Sequence, residues 1–492
     1  MNSNPVSDTV PDTVSDTVSD TESDVSEGDV NLSPLRRAWE RDHVRGATRA
    51  LLDRDAAVYL HQSLSTPCFD ALVEADGIWL TDADGRRFMD FHGNNVHQVG
   101  YRHPRVIDAV KRQLDTLPFS PRRFTNGAAV ELAERLAALA PDPLGKVLLA
   151  PGGTLAIGMA LKLARIVTGR HKTVSMWDAF HGASLDAISV GGEAVFRRDM
   201  GPLMPGTEHV PPCDPGACRF RCGGTCDASC ADYVDYVLGN EGDVAAVVVE
   251  TVRCTDVQIP PPEYYRRLRA ACDRHGALLI LDEVPIGLGR TGTMFAFERY
   301  GIVPDMVVLG KGLGGAVFPM AALIARRDFD RAGDRALGHY THEKSSVGCA
   351  AALATLDVIE DEGLLGRAER LGARAMARLR DLQSRHRLVG DVRGVGLLLG
   401  LELARPDGSP ARREAERVMY GCLARGLSFK VGQGNVITLS PPLVIDERDL
   451  DRAFDILDEA IAEVGQCPDA DGGQRPAASS GGSRSGLRGE DP

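Results

Sequence analysis

Residues 277–284 read ALLILDEV and residues 306–315 read MVVLGKGLGG. In both stretches, an uninterrupted apolar run is followed within two residues by a charged side chain. Three further runs of this kind occur at 147–150 (VLLA), 173–177 (TVSMW) and 245–250 (AAVVVE). Such runs are typical of strands that are buried on both faces of a sheet. Because helix-like stretches at 155–167 and 263–274 alternate with them, the pattern predicts an α/β fold with a mostly parallel sheet.

The chain on either side of these runs predicts a second, smaller domain. Residues 70–91 hold short apolar runs separated by two Asp-Gly pairs, which indicates an antiparallel ribbon. Residues 347–387 have a helical pattern, and residues 395–403 (VGLLLGLEL) have a strand pattern. We therefore expect an N-terminal segment that joins the small domain (34–95), a large domain (96–335) and a C-terminal small α+β domain (336–465).

The two ends of the chain differ from the rest in composition. Residues 1–30 repeat a Ser/Pro-Asp-Thr-Val unit and hold eight acids and no base, and the C-terminal end is rich in Gly, Ser and Arg. We expect residues 1–33 and 466–492 to be disordered, because they have few large apolar groups to bury. The 492 residues carry a net charge of −13, which argues against a nucleic-acid partner. With no apolar run long enough for a membrane span and no signal-like N-terminus, we expect a cytoplasmic protein without a membrane partner.

Three features at the predicted strand ends carry anion-binding or reactive groups. Gly152-Gly153-Thr154 precedes a helix, so free amide groups and a hydroxyl could seat a phosphate there, although a tight strand–helix turn gives the same pattern. Asp282 ends a strand, where its carboxylate could pair with a cationic ring nitrogen or cap a helix. Lys311 lies between a strand and a Gly-rich turn, which suits a desolvated, nucleophilic amine as well as a solvated one. Together, in this order, the three features are what pyridoxal 5'-phosphate requires.

Five motifs in sequence order make the chain resemble the class III (fold type I) pyridoxal-phosphate aminotransferase family over about residues 60–460. The matching motifs are Gly153-Thr154, Phe180-His181-Gly182, Asp282-Glu283-Val284 followed by Gly287-Leu288-Gly289-Arg290-Thr291-Gly292, Lys311, and Pro441-Pro442-Leu443. The resemblance implies a large domain with a mostly parallel sheet, a smaller α+β domain, and a homodimer with shared active sites.

The resemblance also implies a role for each matched residue. Lys311 would hold the cofactor and then take the proton from the amine-bearing carbon, and Asp282 would keep the ring nitrogen protonated. Phe180 and Val284 would enclose the ring, with His181 beside them. The phosphate would be anchored by Gly153, Thr154 and, from the partner subunit, Thr341.

Departures from the family pattern point to the substrate. Leu155 and Pro285 replace a Glu and a Gln that are usual after the first and third motifs, and Thr438 stands where many members have an Arg that clamps an α-carboxylate. A buried carboxylate without a cation would be costly, so we expect a substrate without one, or one held elsewhere. The segment 92–100 (HGNNVHQVG) is similar to a phospho-lyase branch of the family.

The combined resemblance implies a lyase that releases ammonia from (R)-1-hydroxy-2-aminoethylphosphonate and leaves phosphonoacetaldehyde. The alternatives are a class III aminotransferase that uses a 2-oxo acid, a phosphoethanolamine-type phospho-lyase, and a non-catalytic protein on the same fold. A phosphonate dianion calls for cationic side chains, and the candidates are Arg122, Arg123 and Lys430, although paired arginines in a loop are often surface charge. A proton donor is needed for a hydroxide leaving group, with His181 and His97 as candidates.

Five of the eleven cysteines fall in one segment: Cys213, Cys218, Cys222, Cys226 and Cys230. A cytosolic location argues against permanent disulfides, and the spacing of four residues differs from the common two-residue metal spacer. We favour reduced thiols in a loop and expect no metal in the active site, with a structural metal as the alternative.

Overall fold

The computed structural model describes residues 33–63, 65–220, 222 and 226–466. The predictions for the two ends of the chain fall almost wholly outside the described residues. The helices are α1 Pro34–His43, α2 Gly46–Val58, α3 Pro104–Thr116, α4 Gly127–Leu139, α5 Gly153–Thr168, α6 Leu185–Val190, α7 Ala194–Arg197, α8 Ser229–Glu241, α9 Pro262–His275, α10 Ser346–Asp361, α11 Leu364–Arg385, α12 Arg412–Ala424 and α13 Glu447–Gln466. The strands are β1 Leu72–Asp76, β2 Trp79–Asp82, β3 Arg87–Asp90, β4 Leu144–Ala150, β5 Lys172–Met176, β6 Thr207–Val210, β7 Val244–Glu250, β8 Leu278–Asp282, β9 Met306–Leu309, β10 Ala321–Arg326, β11 Val389–Val395, β12 Leu398–Leu403, β13 Leu427–Ser428, β14 Lys430–Gly432 and β15 Val436–Leu439.

A seven-stranded sheet in the order β4-β10-β9-β8-β7-β5-β6 forms the centre of the molecule. Neighbours from β9 to β6 are parallel, whereas β10 runs antiparallel to both β4 and β9. Both faces of the sheet are covered: in β7, Val247 and Val249 pack into one apolar cluster, and Ala246 and Val248 into another. This burial explains the uninterrupted apolar runs of the sequence and confirms the predicted α/β fold with its mostly parallel sheet.

Two four-stranded sheets flank the central one. The ribbon predicted at 70–91 is confirmed as β1, β2 and β3, and β13 adds to it in parallel with β3. The other sheet has the order β11-β12-β15-β14 and lies against α11. The domain boundaries given above stay predictions, and within the described residues no helix is long and apolar enough to cross a membrane.

The apolar stretch 395–403 is not one strand, as the sequence pattern indicated. The chain turns at Gly396, whose φ is +55°, and the run divides into the end of β11 and the whole of β12. The turn is packed against Arg290, whose carbonyl accepts a hydrogen bond from the amide of Leu397 at 3.0 Å. Because the turn residue Leu397 is itself fully buried, the apolar run continues through the turn, and the sequence pattern does not show where the strand ends.

Candidate active site

The N-terminus of α5 forms an anion-accepting turn at the carboxyl end of β4. Gly152 is the N-cap residue with no capping side chain, and the first turn of the helix contains no acidic residue. The first amides of a helix have no partner within it, and the helix dipole favours a negative charge there. Leu155, which replaces the family's Glu, packs with the apolar cluster beneath the turn. The turn therefore offers free N–H groups and the Thr154 hydroxyl to a phosphate.

The sequence motifs converge on this turn in space. A Cβ added at Gly153 would lie 2.9 Å from Val284, and one added at Gly310 would lie 3.0 Å from the same side chain. A Cβ at Gly182 would lie 2.2 Å from the Thr154 hydroxyl. The turns after β4, β5, β8 and β9 are thus in direct contact, as the common carboxyl edge of parallel strands requires.

Asp282 is held in a fixed orientation at the end of β8. It is 3% exposed; one carboxylate oxygen accepts the amide of Val284 at 3.0 Å, and the other accepts His181 Nδ1 at 2.8 Å. The second ring nitrogen of His181 lies 3.3 Å from the Ser175 hydroxyl. Although burial opposes a charge on the ring, the hydrogen bond to Asp282 and the charges of Asp282 and Glu250 raise the pKa of His181. The pair presents a buried carboxylate that suits a protonated ring nitrogen.

Lys311 follows β9 by two residues and adopts a backbone conformation that is rare for a side-chain-bearing residue. Its φ is +45°, in the left-handed region, at the start of a short helical turn. The next residue is packed so tightly that a Cβ at Gly312 would lie 2.0 Å from the side chain of Gln98. Backbone strain that the surrounding packing maintains is concentrated at functional sites.

The loop after β3 brings a histidine that sequence reasoning did not assign, together with the predicted Lys430. The amide of Phe91 donates to the carbonyl of Ser428 at 2.8 Å. Because β3 and β13 run parallel, His92 and Lys430 lie on neighbouring backbone segments just beyond this bond. Burial, together with the charges of Lys430, His97 and Lys311, lowers the pKa of His92 to about 4. Within the described chain, Lys430 forms no ion pair with a carboxylate. The signal for His92 was its place directly after β3, in the segment 92–100 already singled out.

The predicted Arg122 and Arg123 are exposed and lie at a different place. The two terminal guanidinium nitrogens of Arg122 lie 2.7 and 2.8 Å from the two ring nitrogens of His339. Arg122 and His339 line a cavity of about 690 Å³ whose other walls include apolar side chains of β4, α5 and β10. Thr341, two residues beyond His339, is exposed as well. The structure thus groups Arg122 with the Thr341 loop rather than with Asp282 and Lys311.

Thr438 is buried on β15, directly opposite Lys430 of β14. Its hydroxyl donates to the carbonyl of Thr255 at 2.9 Å, which fixes the small sheet to the segment after β7. Nearby, the buried Arg290 donates to the carbonyls of Leu397 and Pro441, and burial lowers its pKa to about 9. The motifs at 287–292 and 441–443 are therefore joined by hydrogen bonds between the segment after β8 and the segments next to β12 and β15.

The other histidine candidate and the cysteine segment contact groups other than Asp282 and Lys311. His97 is fully buried and its Nε2 donates to the carbonyl of Asp90 at 3.3 Å. In the cysteine segment, Cys213 Sγ lies 3.9 Å from Cys226 Sγ, and Cys218 Sγ lies 3.0 Å from Cys222 Sγ. All ten cysteines of the described residues are free, and no group of three His, Cys, Asp or Glu there is arranged to hold a metal ion.

The residues present fit pyridoxal 5'-phosphate. Glycines at three of the turns let Val284 and Thr154 pack directly against the backbone, the α5 N-terminus suits the phosphate, and Asp282 suits the ring nitrogen. Phe180, whose amide donates to Glu250 at 2.9 Å and whose ring packs on Phe196, lies on the chain next to His181 and has the flat face that stacking requires.

Comparison with known proteins gives the same result. The family model for class-III aminotransferases matches residues 61–461. A relative from Vibrio splendidus, "(R)-1-hydroxy-2-aminoethylphosphonate ammonia-lyase", is 50% identical over 89% of this chain and 95% of its own length. An adenosylmethionine-8-amino-7-oxononanoate aminotransferase from Nitratidesulfovibrio vulgaris is 36% identical over 83% of this chain and 79% of its own. The PLP-bound crystal structure of an amine transaminase from an uncultivated Pseudomonas species superposes with a TM-score of 0.78, at 30% identity over 83% of this chain and 99% of that one. The chain belongs to the class-III aminotransferase family.

Proposed function

We propose that this protein releases ammonia from (R)-1-hydroxy-2-aminoethylphosphonate and forms phosphonoacetaldehyde, as a step in phosphonate breakdown. The observation that carries the proposal is the 50% identity to the Vibrio splendidus ammonia-lyase, which extends over 95% of that protein. Two features near the converging turns of Gly153, Asp282 and Lys311, a region called the cleft below, agree with it. Lys430 has no carboxylate partner among the described residues, and Thr438 is occupied by its bond to Thr255.

The reaction divides among a few side chains. Bound pyridoxal phosphate supplies an electron-withdrawing ring that accepts the electrons of the amine-bearing carbon. Lys311 holds the cofactor and takes the proton from that carbon, while Asp282, fixed by His181, keeps the ring nitrogen protonated. The α5 N-terminus and Thr154 hold the phosphate.

Lys430 is the group that we assign to the substrate's phosphonate. It is paired with the buried Thr438 on the neighbouring strand, and its charge acts on His92. The hydroxyl group leaves from the carbon that bears the phosphonate, and water then replaces the nitrogen, so the products are the aldehyde and ammonia. No 2-oxo acid is consumed.

A homodimer with shared active sites is part of the proposal. The cavity next to Arg122 has apolar walls formed by β4, α5 and β10, and such a surface is suited to a second copy of the chain. Because the Thr341 loop lies on the same side, the second copy would receive Thr341 and Arg122 at its own cleft. Arg122 would then act on the partner's phosphate or phosphonate group, and Arg123 would lie beside it.

The test is an assay without any 2-oxo acid. The purified holoenzyme is incubated with (R)-1-hydroxy-2-aminoethylphosphonate and, separately, with phosphoethanolamine, and ammonia and free phosphate are measured. Ammonia without phosphate from the phosphonate supports the proposal. Ammonia with phosphate from phosphoethanolamine would indicate a phospho-lyase. Turnover only after a 2-oxo acid is added would indicate an aminotransferase, and Lys311→Ala serves as the inactive control.

A further inference from the structure

We propose that His92 is the general acid that protonates the substrate's hydroxyl group as its carbon–oxygen bond breaks. The inference rests on the proposed function, because only a hydroxyl leaving group needs this proton. The step balances without a further reactant. Lys311 takes the proton from the amine-bearing carbon, the electrons of that bond form a carbon–carbon double bond, and the hydroxyl leaves with its electron pair and the proton of His92 as water. His92 regains a proton from solvent.

A rigid turn fixes the backbone at His92. One carboxylate oxygen of Asp90 accepts the amides of His92 at 2.9 Å and Gly93 at 3.0 Å, and the other accepts the hydroxyl of Tyr101 at 2.6 Å. The next three residues, 93–95, have φ values of +45°, +46° and +56°, so the chain turns away in a left-handed bend immediately after His92. Consecutive left-handed residues are rare in proteins, and their concentration here marks a segment that is held in place.

The loop that carries His92 contacts the chain segments of both amines that the reaction uses. On one side, the hydrogen bond from Phe91 to Ser428 aligns the chain before His92 with the chain before Lys430. On the other side, Gln98 at the end of the same loop contacts the Lys311 turn at Gly312. His92 is half-buried, and within the described chain its ring forms no hydrogen bond. Because the ring has no hydrogen-bond partner there and its loop contacts the segments of both lysines, it is placed to donate a proton to the substrate that they bind.

The two histidines predicted from the sequence are less suited to this task. His181 uses both ring nitrogens, one on Asp282 at 2.8 Å and one beside Ser175 at 3.3 Å. His97 is fully buried under the bend, where its ring fills the space above Gly93. Both rings therefore act on protein groups: His181 orients Asp282, and His97 supports the loop that carries His92.

The pKa of His92 depends on whether the negatively charged substrate is bound. In the free protein, burial together with the positive charges of Lys430 and Lys311 and the proximity of His97 lowers the pKa of His92 to about 4, against the opposing effect of Asp90. A bound phosphonate dianion cancels the charge of Lys430 and adds negative charge at the same place. The pKa of His92 then rises on binding, which favours the protonated ring when the substrate is present.

The experiment separates proton donation from a structural role by using two substrates. (R)-1-hydroxy-2-aminoethylphosphonate requires loss of hydroxide, whereas 2-aminoethylphosphonate has no leaving group and reports only exchange of its amine-carbon hydrogens with D₂O, measured by NMR. We expect His92→Asn to slow ammonia release by about 10²–10⁴-fold and to leave the D₂O exchange rate and the cofactor absorbance spectrum unchanged. The control is His61→Asn, an exposed histidine far along the chain, for which both rates stay at the wild-type value.

Each other outcome overturns the proposal in a recognisable way. Full ammonia release by His92→Asn would show that the ring donates no proton. Equal slowing of release and exchange would show that the ring only supports the cleft. A wild-type protein that exchanges 2-aminoethylphosphonate but releases no ammonia from the hydroxyphosphonate would overturn the proposed function, and the role of His92 with it.

A 1-fluoro analogue gives the converse test: fluoride needs less protonation, so we expect the variant to recover most of the wild-type rate.

Discussion

Replacing Gly432 by Ala should disturb catalysis while it leaves the cofactor in place. Gly432 ends β14, two residues after Lys430, and an added Cβ would lie 1.9 Å from the carbonyl oxygen of Thr255. A carbon and a carbonyl oxygen approach to about 3.3 Å, so the strand and the Thr255 segment must separate by about 1.4 Å. A misplacement of about 1 Å near a reacting group costs about 10²-fold. We therefore expect kcat/KM for ammonia release to fall by about 10²-fold.

The measurement compares this variant with Gly366→Ala. Gly366 lies in α11, where an added Cβ meets nothing within 4 Å, so that variant should keep the wild-type kcat/KM. The cofactor absorbance should be the same in the wild type and in both variants. Asp282, Lys311 and the α5 turn lie at or directly after the ends of strands of the central sheet, which neither substitution touches. If Gly432→Ala retains kcat/KM within twofold of wild type, the position of Lys430 does not control the reaction and the reasoning is wrong.

Three further predictions concern the same site. Lys430→Met should raise KM for the hydroxyphosphonate by about 10–100-fold, the worth of about 1.5–3 kcal/mol for a charged hydrogen bond, with Lys430→Arg closer to wild type in the same steady-state assay. Thr154→Val should weaken cofactor binding by about 10–100-fold in a fluorescence titration of the apoprotein, whereas Thr154→Ser should not. Because the pKa of His181 is raised in the folded protein, its bond to Asp282 stabilises the fold fully below about pH 6.5, and this contribution is lost as the pH rises through the raised value. Urea unfolding of wild type and His181→Asn should therefore differ most at low pH, and a difference that grows with pH would contradict the sign.

The sequence pattern was sufficient to predict most strands of the central sheet, because a strand that is buried on both faces has a continuous apolar run. Strands β7 and β8 end within a residue of the predicted ends, and Asp282 is the last residue of its strand as expected. The direction of β10 could not be read in the same way. Its residues 321–326 (AALIAR) are as apolar as the parallel strands, and a continuous apolar run carries no information about strand direction.

The part of the site that depends on contacts between distant segments of the chain could not be predicted from the sequence. Gly153, Asp282 and Lys311 were found because each lies at a strand end, and parallel strands bring those ends together. The role of Val284 came from the family resemblance. His92 comes close to Lys430 through a pairing of β3 with β13, whose residues are separated by more than 300 positions in the chain. Neither spacing nor composition encodes that pairing, so the sequence offered His181 and, from this loop, His97 as proton donors.

The hydrogen bond between Thr438 and Thr255 constrains how this cleft could have changed during evolution. An arginine at position 438 would lose the bond that the Thr255 carbonyl now accepts, and it would also face Lys430 across the strand pair. Its partner on β12 is Gly400, where even a Cβ would meet Val257 at 3.0 Å. A change between a cleft for phosphonates and a cleft for α-carboxylates therefore requires coordinated substitutions on two strands and in the segment after β7. Relatives that carry the arginine should differ from this chain at several of these positions together.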